Sequence, residues 1–378
     1  FAAALVATPE TDPGMLVFFT DSDENYAYIG GVPTGAKPEG ISISASGTTV
    51  VTIDEGSSTE TVDPEGSITV AEVTVAPGAA MSSASVSGTV YGFDASTAGT
   101  AGMFDPDALR AKGVRIFRDF TAAVDLEPEG GHFTADDSHF VVVFQDNNAI
   151  ASMDMSTHKW SWIEGLSYRS SMDAPFDPSD KDDAVAIAGD WGGVTVKHMQ
   201  QPDVVTSWTH HGVYYYAMAN EGDARDDGSI LGVAGEVEGE EVRLRDLDQS
   251  GSPATNCPNN DAIVEKAVLG RLKVTVEWPA TNWTGTQLDE NSITLDCDKI
   301  YTYGGRSFSV YKWDPSGTAG PQFVYDSGGA FEQIVADKLT SCAACLADPG
   351  NSTVCDLCHF NDDGDGFDAR SDAKGPEP

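Results

Sequence analysis

Acidic and amide side chains crowd one short stretch of the chain, residues 220–227, which reads NEGDARDD. Carboxylates held this close repel one another, which raises their pKa or costs stability unless a cation neutralises them. Calcium takes about six to eight oxygen ligands, and this stretch offers them on Asn220, Glu221, Asp223 and Asp226. The stretch therefore predicts a calcium site, with another divalent metal or a hydrogen-bonded structural turn as alternatives.

A second acidic loop, residues 361–372, reads NDDGDGFDARSD. Asn361, Asp363 and Asp365 alternate, a glycine follows, and Asp372 stands at the twelfth position. This is the ligand spacing of the EF-hand calcium loop. The loop departs from that pattern in its first and last residues, and no helix obviously flanks it. It predicts calcium binding, and the alternative is an acidic turn without an ion.

Two arginines are the candidates for transition-state chemistry. Arg225, inside the first acidic stretch, can form a fork with a carboxylate or a phosphate. Arg306 follows two glycines in YGGRSFS, residues 303–309, where the backbone leaves room for an anion; the alternative is that it pairs with an acid in a turn. The chain has no Gly-x-Ser-x-Gly, P-loop or His-Glu-x-x-His motif. Whether the protein is an enzyme stays open, and catalytic residues stay unknown.

The six cysteines are the next candidates. Cys342, Cys345, Cys355 and Cys358 form two Cys-x-x-Cys pairs, a spacing that predicts zinc in the cytosol and disulfides outside the cell. Glycosylation sequons at residues 282–284 and 351–353 favour the extracellular interpretation. We expect two disulfides among these four cysteines, with zinc as the alternative. The remaining two, at positions 257 and 297, form a plausible third bridge.

Charge limits the partners. The chain has 60 acidic and 21 basic residues, a net charge of −39. Nucleic acid is excluded as a partner because phosphate binding needs clustered Lys and Arg. No apolar run reaches the ~18 residues of a transmembrane helix, so no membrane-spanning segment is expected. Metal cations are the natural counterparts.

The elements that position these residues repeat along the chain. Residues 37–56, 127–148 and 201–222 share one plan: a proline and an acid, a short strand, a polar turn, a second strand and a polar cluster. The interval from the proline to that cluster is 16, 17 and 18 residues. Two further Pro-Glu steps, at 63–66 and 375–378, fit the same repeat opening. Such units predict an all-β fold, a β-propeller, and the alternative is that Pro-Glu-Gly merely marks tight turns.

In a propeller, the acid after each proline can point into the central channel. These acids join the candidate metal ligands; they are Glu39, Glu65, Glu129 and Asp203. The chain is interpreted as one domain, 1–378, with seven blades when whole and insertions at about 228–262 and 340–372. Helices are predicted only at 105–117 and 329–339, and a strand at 270–278.

Several motifs occur in order from about residue 9 to 378, among them TVDPEGSITV, FQDNNAIASMD, ANEGDARDD and YTYGGRSFSVYKWD. Together they resemble the choice-of-anchor I domain family, which includes cell-surface glycoproteins of biomineralising mesenchyme cells and relatives labelled atypical alkaline phosphatases. The resemblance implies a secreted propeller of which the first blade and a closing segment are missing here. The acidic insert and the cysteine-rich stretch depart from the family pattern.

The predicted function is a secreted or cell-surface, calcium-binding glycoprotein of the extracellular-matrix or biomineralisation type. Its expected partners are metal cations and matrix, mineral or cell-surface components. The alternative is a metal-dependent alkaline phosphatase that acts on phosphate esters, for which Arg225 and Arg306 are the candidate groups.

Overall fold

The computed structural model describes residues 2–20, 26–59, 62–80, 83–117, 120–179, 187–225, 240–248, 252–281, 293–317 and 319–341. These residues form a mostly β structure of five sheets with few helices. The all-β prediction is therefore confirmed at the level of fold class.

Three sheets follow the chain order, and each is antiparallel. The first contains β1 (Ala2–Leu5), β2 (Pro13–Phe19) and β3 (Tyr28–Ala36). The second contains β4 (Pro38–Ile43), β5 (Thr49–Asp54), β6 (Ser67–Thr74) and β7 (Ser85–Tyr91). The third contains β8 (Gly130–Phe133), β9 (His139–Phe144), β10 (Ala149–Asp154) and β11 (Lys159–Gly165).

The other two sheets are interleaved along the chain. One is made of β14 (Val204–His210), β15 (Val213–Asn220), β19 (Ser307–Trp313) and β20 (Gln322–Asp326). The other has short strands in the order β12 (Arg169–Ser170), β13 (Lys197–His198), β18 (Tyr301–Thr302), β17 (Lys273–Thr275) and β16 (Glu241–Arg243). Only the β13–β18 pairing within it is parallel.

The predicted strand–turn–strand repeats are hairpins in the structure. They are β4–β5, β8–β9 and β14–β15, each pair the start of its own sheet. The first strands lie side by side, because β8 packs against both β4 and β14. The Pro-Glu step at 63–66 is a different case: it leads into β6, the third strand of its sheet. It lies in the connection between β5 and β6, so the prediction that it opens a repeat was wrong. The step at 375–378 lies outside the described residues.

Both predicted helices exist. α1 (Pro106–Ala111) is capped by Asp105, whose carboxylate accepts from the Ala108 backbone N–H at 3.0 Å. α4 spans Ala330–Ser341. Two short helices, α2 (Ala122–Asp125) and α3 (Asn260–Ile263), and a 3₁₀ turn at Leu244–Leu247 were not predicted. Four residues are too few to show a helical period.

The core lies between neighbouring sheets, as β9 shows. Phe140, Val142 and Phe144 face one cluster with Trp160, whereas Val141 and Val143 face a second cluster that contains Tyr216. A strand buried on both faces is continuously apolar rather than alternating. The described part of the predicted 228–262 insertion also contributes to the core, through Val242 and Leu244. Cys257 and Cys297 are joined by a disulfide, which confirms the predicted third bridge.

Candidate functional site

Three glutamates meet where two neighbouring sheets begin. A carboxylate oxygen from each of Glu39, Glu55 and Glu129 lies within 4.8 Å of the other two. Among the described residues this is the only group of three or more acidic, histidine or cysteine side chains close enough to share a metal ion.

Strand pairing places these side chains. Glu39 is the second residue of β4, and Glu55 directly follows β5. The Glu55 backbone N–H donates to the Lys37 carbonyl at 3.1 Å, which extends the pairing by one step. Glu129 directly precedes β8, the strand beside β4. The site therefore depends on contact between two sheets and is not contained in one loop.

Lys37 supplies the counter-charge in the absence of an ion. Its Nζ lies 2.5 Å from Glu55 Oε2 and 3.2 Å from Glu39 Oε1. Burial lowers the pKa of Lys37, but the hydrogen bonds and charges of Glu55 and Glu39 outweigh burial and raise that pKa above its usual value. One ammonium thus offsets part of the charge of three carboxylates.

Burial and neighbouring charges disfavour the ionised forms of two of these carboxyl groups. Burial raises the pKa of Glu129 well above its usual value, and the negative charges of Glu55, Asp146, Glu39 and Asp203 raise it further. Burial also raises the pKa of Glu55, against the opposing hydrogen bond from Lys37. A divalent cation would stabilise the ionised form of every carboxylate that it contacts.

The predicted channel acids have different positions. Glu39 and Glu129 are brought together, as the repeat pattern indicated. Asp203, half-buried just before β14, acts on Glu129 through its charge but lies outside the group of three. Glu65 is exposed and also lies outside it. Glu55 was missing from the predicted ligands, although its place at the end of the first repeat was the available signal.

The acidic stretch after β15 does not form a second such group within the described residues. Asn220 is fully buried: its Nδ2 donates to Ser307 Oγ at 2.9 Å, and its Oδ1 accepts from Ser309 Oγ at 3.1 Å. Glu221 and Asp223 line a cavity described below. Asp226 and the loop 361–372, with Asn361, Asp363, Asp365 and Asp372, lie outside the described residues. So do the four cysteines after residue 341.

Arg225 is a buried partner of carboxylates. Its guanidinium lies 3.5 Å from Asp125 Oδ1 and 3.2 Å from Glu127 Oε2, and donates to the Asp125 carbonyl at 2.8 Å. A second buried pair, Arg115 with Glu240, lies beside it, and Thr275 donates to Glu240 at 2.9 Å. This arrangement ties α2 to the segments that carry Arg225 and Glu240.

Arg306 is also paired. Its Nη1 lies 2.8 Å from Glu332 Oε1 on α4, and its guanidinium stands 5.4 Å from the ring centre of Phe176. This is the ion pair weighed as an alternative from the sequence. The same side chain lines the cavity that Glu221 and Asp223 reach.

Comparisons with known proteins agree with the motif pattern. The family model of the choice-of-anchor I domain matches residues 1–378. None of the curated proteins matches the chain. No helix in the described ranges is long and apolar enough to cross a membrane.

Several solved structures are similar at low identity. A functionally unknown protein from Desulfotomaculum acetoxidans is 10% identical, with 86% of this chain and 79% of that chain covered and a TM-score of 0.27. Apo AztD from Citrobacter koseri is 8% identical, with 86% and 55% covered and a TM-score of 0.25. The Cps50 (Swd1) β-propeller domain of Myceliophteria thermophila is 12% identical, with 60% and 65% covered and a TM-score of 0.20.

Proposed function

The chain belongs to the choice-of-anchor I domain family, and we propose that it is a cell-surface or extracellular protein that binds calcium through Glu39, Glu55 and Glu129. The family's domain suggests a surface-anchoring role. The observation that carries the proposal is the convergence of three carboxylates within 4.8 Å from two different sheets. Monodentate or bidentate carboxylates completed by water are the ligands that calcium prefers.

Lys37 fits this proposal as a displaceable counter-ion. Its Nζ also lies 3.2 Å from Ser57 Oγ, outside the group of glutamates. When an ion enters, the ammonium can keep that hydrogen bond while its contacts with Glu39 and Glu55 are lost. Lys37 offsets part of the carboxylate charge in the metal-free form and calcium offsets it in the bound form, so calcium affinity is reduced by the cost of displacing Lys37.

The architecture proposed for the single domain is a β-propeller. The sheets that begin with β4, β8 and β14 support it, because their first strands lie side by side. In such an arrangement the carboxylates of Glu39, Glu129 and Asp203 surround a common axis. The count of seven blades stays a prediction.

The overall charge supports a role among cations. A net charge of −39 attracts calcium to the whole surface and favours mineral or matrix components that carry it. The phosphatase alternative needs an arginine that can reach a phosphoryl group. Arg225 is buried between two carboxylates, and the cavity that Arg306 lines does not include the three glutamates, so the non-enzymatic binding role is favoured.

The test compares thermal unfolding in chelator and in millimolar calcium. Calcium that binds only the folded state adds RT ln(1 + [L]/Kd) to the free energy of unfolding, which is about 2.7 kcal/mol at a hundredfold excess over Kd. Calcium should raise the Tm of the wild type and of Glu65→Gln, an exposed matched control, and should raise that of Glu129→Gln much less. The proposal fails if Glu129→Gln responds to calcium as strongly as the control does.

A further inference from the structure

A cavity of about 210 Å³ lies beside β16 and β17, separate from the three glutamates. Four basic residues line it, of the 21 in the whole chain. They are Arg243, Arg271, Lys273 and Arg306. In a protein with a net charge of −39, basic residues are scarce, so four of them around one cavity are more than the composition would predict.

Strand register forces two of these cations together. Arg243 on β16 stands directly opposite Lys273 on β17. Both side chains are exposed, while the next pair in the register, Val242 and Val274, is buried. Like charges in directly opposed positions destabilise a sheet. Glu241 forms an ion pair with Lys273, which offsets part of this repulsion.

One of the four cations is held firmly by other side chains. Arg306 is fixed by Glu332 and by the Phe176 ring, so its guanidinium loses little conformational entropy on binding a ligand. Tyr303 also lines the cavity, and burial and the negative charge of Glu240 raise the pKa of its phenol well above the usual value, so this residue adds no negative charge.

Acidic residues also line the cavity, and they restrict where a ligand can bind. These residues are Glu221, Asp223 and Glu241. Glu241 is engaged with Lys273. The charges of Glu221 and Asp223 repel an anion, so a ligand must bind through the arginines and away from these two carboxylates.

We propose that this cavity binds a small oxyanion with two or more negative charges, such as a phosphate group or a polycarboxylate. Arginine forks are suited to both because they donate two parallel hydrogen bonds to a pair of oxygens. The volume is below the ~300–1,000 Å³ of typical ligand pockets, which favours a compact anion. This proposal does not depend on calcium binding at Glu39, Glu55 and Glu129.

The experiment is calorimetric titration of the full chain with inorganic phosphate, sulfate and citrate in calcium-free buffer, with chloride at matched ionic strength. The test variant is Arg243→Gln, which alters an exposed strand position. Lys266→Gln, at an exposed residue outside the cavity lining, is the matched control. Loss of a charge-assisted hydrogen bond should weaken binding about tenfold or more in Arg243→Gln and should leave Lys266→Gln unchanged.

Each outcome decides the matter. Phosphate or sulfate binding that only Arg243→Gln weakens supports the proposal and assigns a phosphate-type ligand. Citrate binding with the same sensitivity supports it and assigns a polycarboxylate. Binding no stronger than that of chloride, or equal weakening in both variants, overturns it, because only non-specific charge attraction would then remain.

Discussion

Gly222 and Gly304 lie backbone against backbone, and neither position has room for a side chain. A Cβ on Gly222 would overlap the Gly304 backbone, and a Cβ on Gly304 would overlap the carbonyl of Glu221. Both residues have left-handed φ values, 90° and 71°. The pairing of β15 with β19, in which Asn220 stands opposite Ser307, brings them together. This contact joins the NEGD and YGGR stretches, which are far apart in sequence.

Gly222→Ala should therefore destabilise the protein strongly. Left-handed backbone costs a residue with a Cβ about 1–2 kcal/mol, and the overlap with Gly304 adds about 1–3 kcal/mol more. The matched control is Gly212→Ala, because Gly212 has φ 77° but no atom within 4 Å of a Cβ built there. Urea unfolding should show a clearly larger loss for Gly222→Ala; equal losses would contradict the close packing.

Arg225→Ala should act on stability rather than on a reaction. The substitution leaves Asp125 and Glu127 buried without the guanidinium that compensates them, which typically costs about 3–5 kcal/mol. Lys266→Ala, at an exposed position outside the cavity lining, is the control and should change the free energy of unfolding little. If Arg225→Ala unfolds like the wild type but abolishes phosphomonoester hydrolysis, the phosphatase alternative is correct.

The sequence pattern predicted those parts of the fold that repeat. The three hairpins and the approach of Glu39 to Glu129 followed from the position of an acid after each proline. Glu55 was missed as a ligand because its role depends on Lys37 and on the neighbouring sheet, and neither contact is local in sequence. Short strands such as β12, β13 and β18 have two residues each, too few to show alternation.

In the acidic stretch 220–227, the sequence was a poor guide to the roles of individual side chains. Composition alone made Asn220 a ligand candidate and Arg225 a catalytic candidate, yet the structure buries both side chains among partners from other strands. Sequence identifies charge density, whereas burial decides whether a charged or polar group faces solvent or the protein interior. The sequence indicated room for an anion only at Arg306; the other cations of that cavity, Arg243, Arg271 and Lys273, were not predicted because they come from separate segments.

Removal of the Cys257–Cys297 disulfide should lower stability by about 4 kcal/mol. The two cysteines are 40 residues apart, and the chain-entropy estimate for a closed loop of that size gives this value. Cys257 is buried in the second core cluster, with Leu269 and Val274, so its side chain should be replaced by alanine. The double variant Cys257→Ala, Cys297→Ala should unfold at lower urea than the oxidised wild type. A shift below about 1 kcal/mol would show that the bridge does not constrain the unfolded chain.

Asp146 should make the metal-free protein less stable as pH rises. Burial raises the pKa of Asp146 to about 7; Arg225 opposes this rise, and Glu240 and Asp223 add to it. The pKa of Asp146 in the folded protein lies above the usual aspartate value of about 4. Between about pH 4 and pH 7, the folded protein therefore holds a proton that the unfolded chain has lost. Stability should then fall from about pH 4 to pH 7 and stay low above it.

Asp146→Asn removes this ionisation, and the backbone carbonyl that accepts from Arg115 at 2.6 Å is retained. In chelator, the free energy of unfolding of Asp146→Asn relative to that of the wild type should increase by a few kcal/mol between pH 5 and pH 8. Asp314→Asn is the control: hydrogen bonds from Ser316 lower the pKa of this exposed carboxyl, so its contribution is already complete above about pH 4. Chemical unfolding of the wild type and both variants at pH 5 and pH 8 measures these free energies. Parallel stability curves for wild type and Asp146→Asn would show that Asp146 is ionised throughout and that Arg225 and Arg115 outweigh its burial.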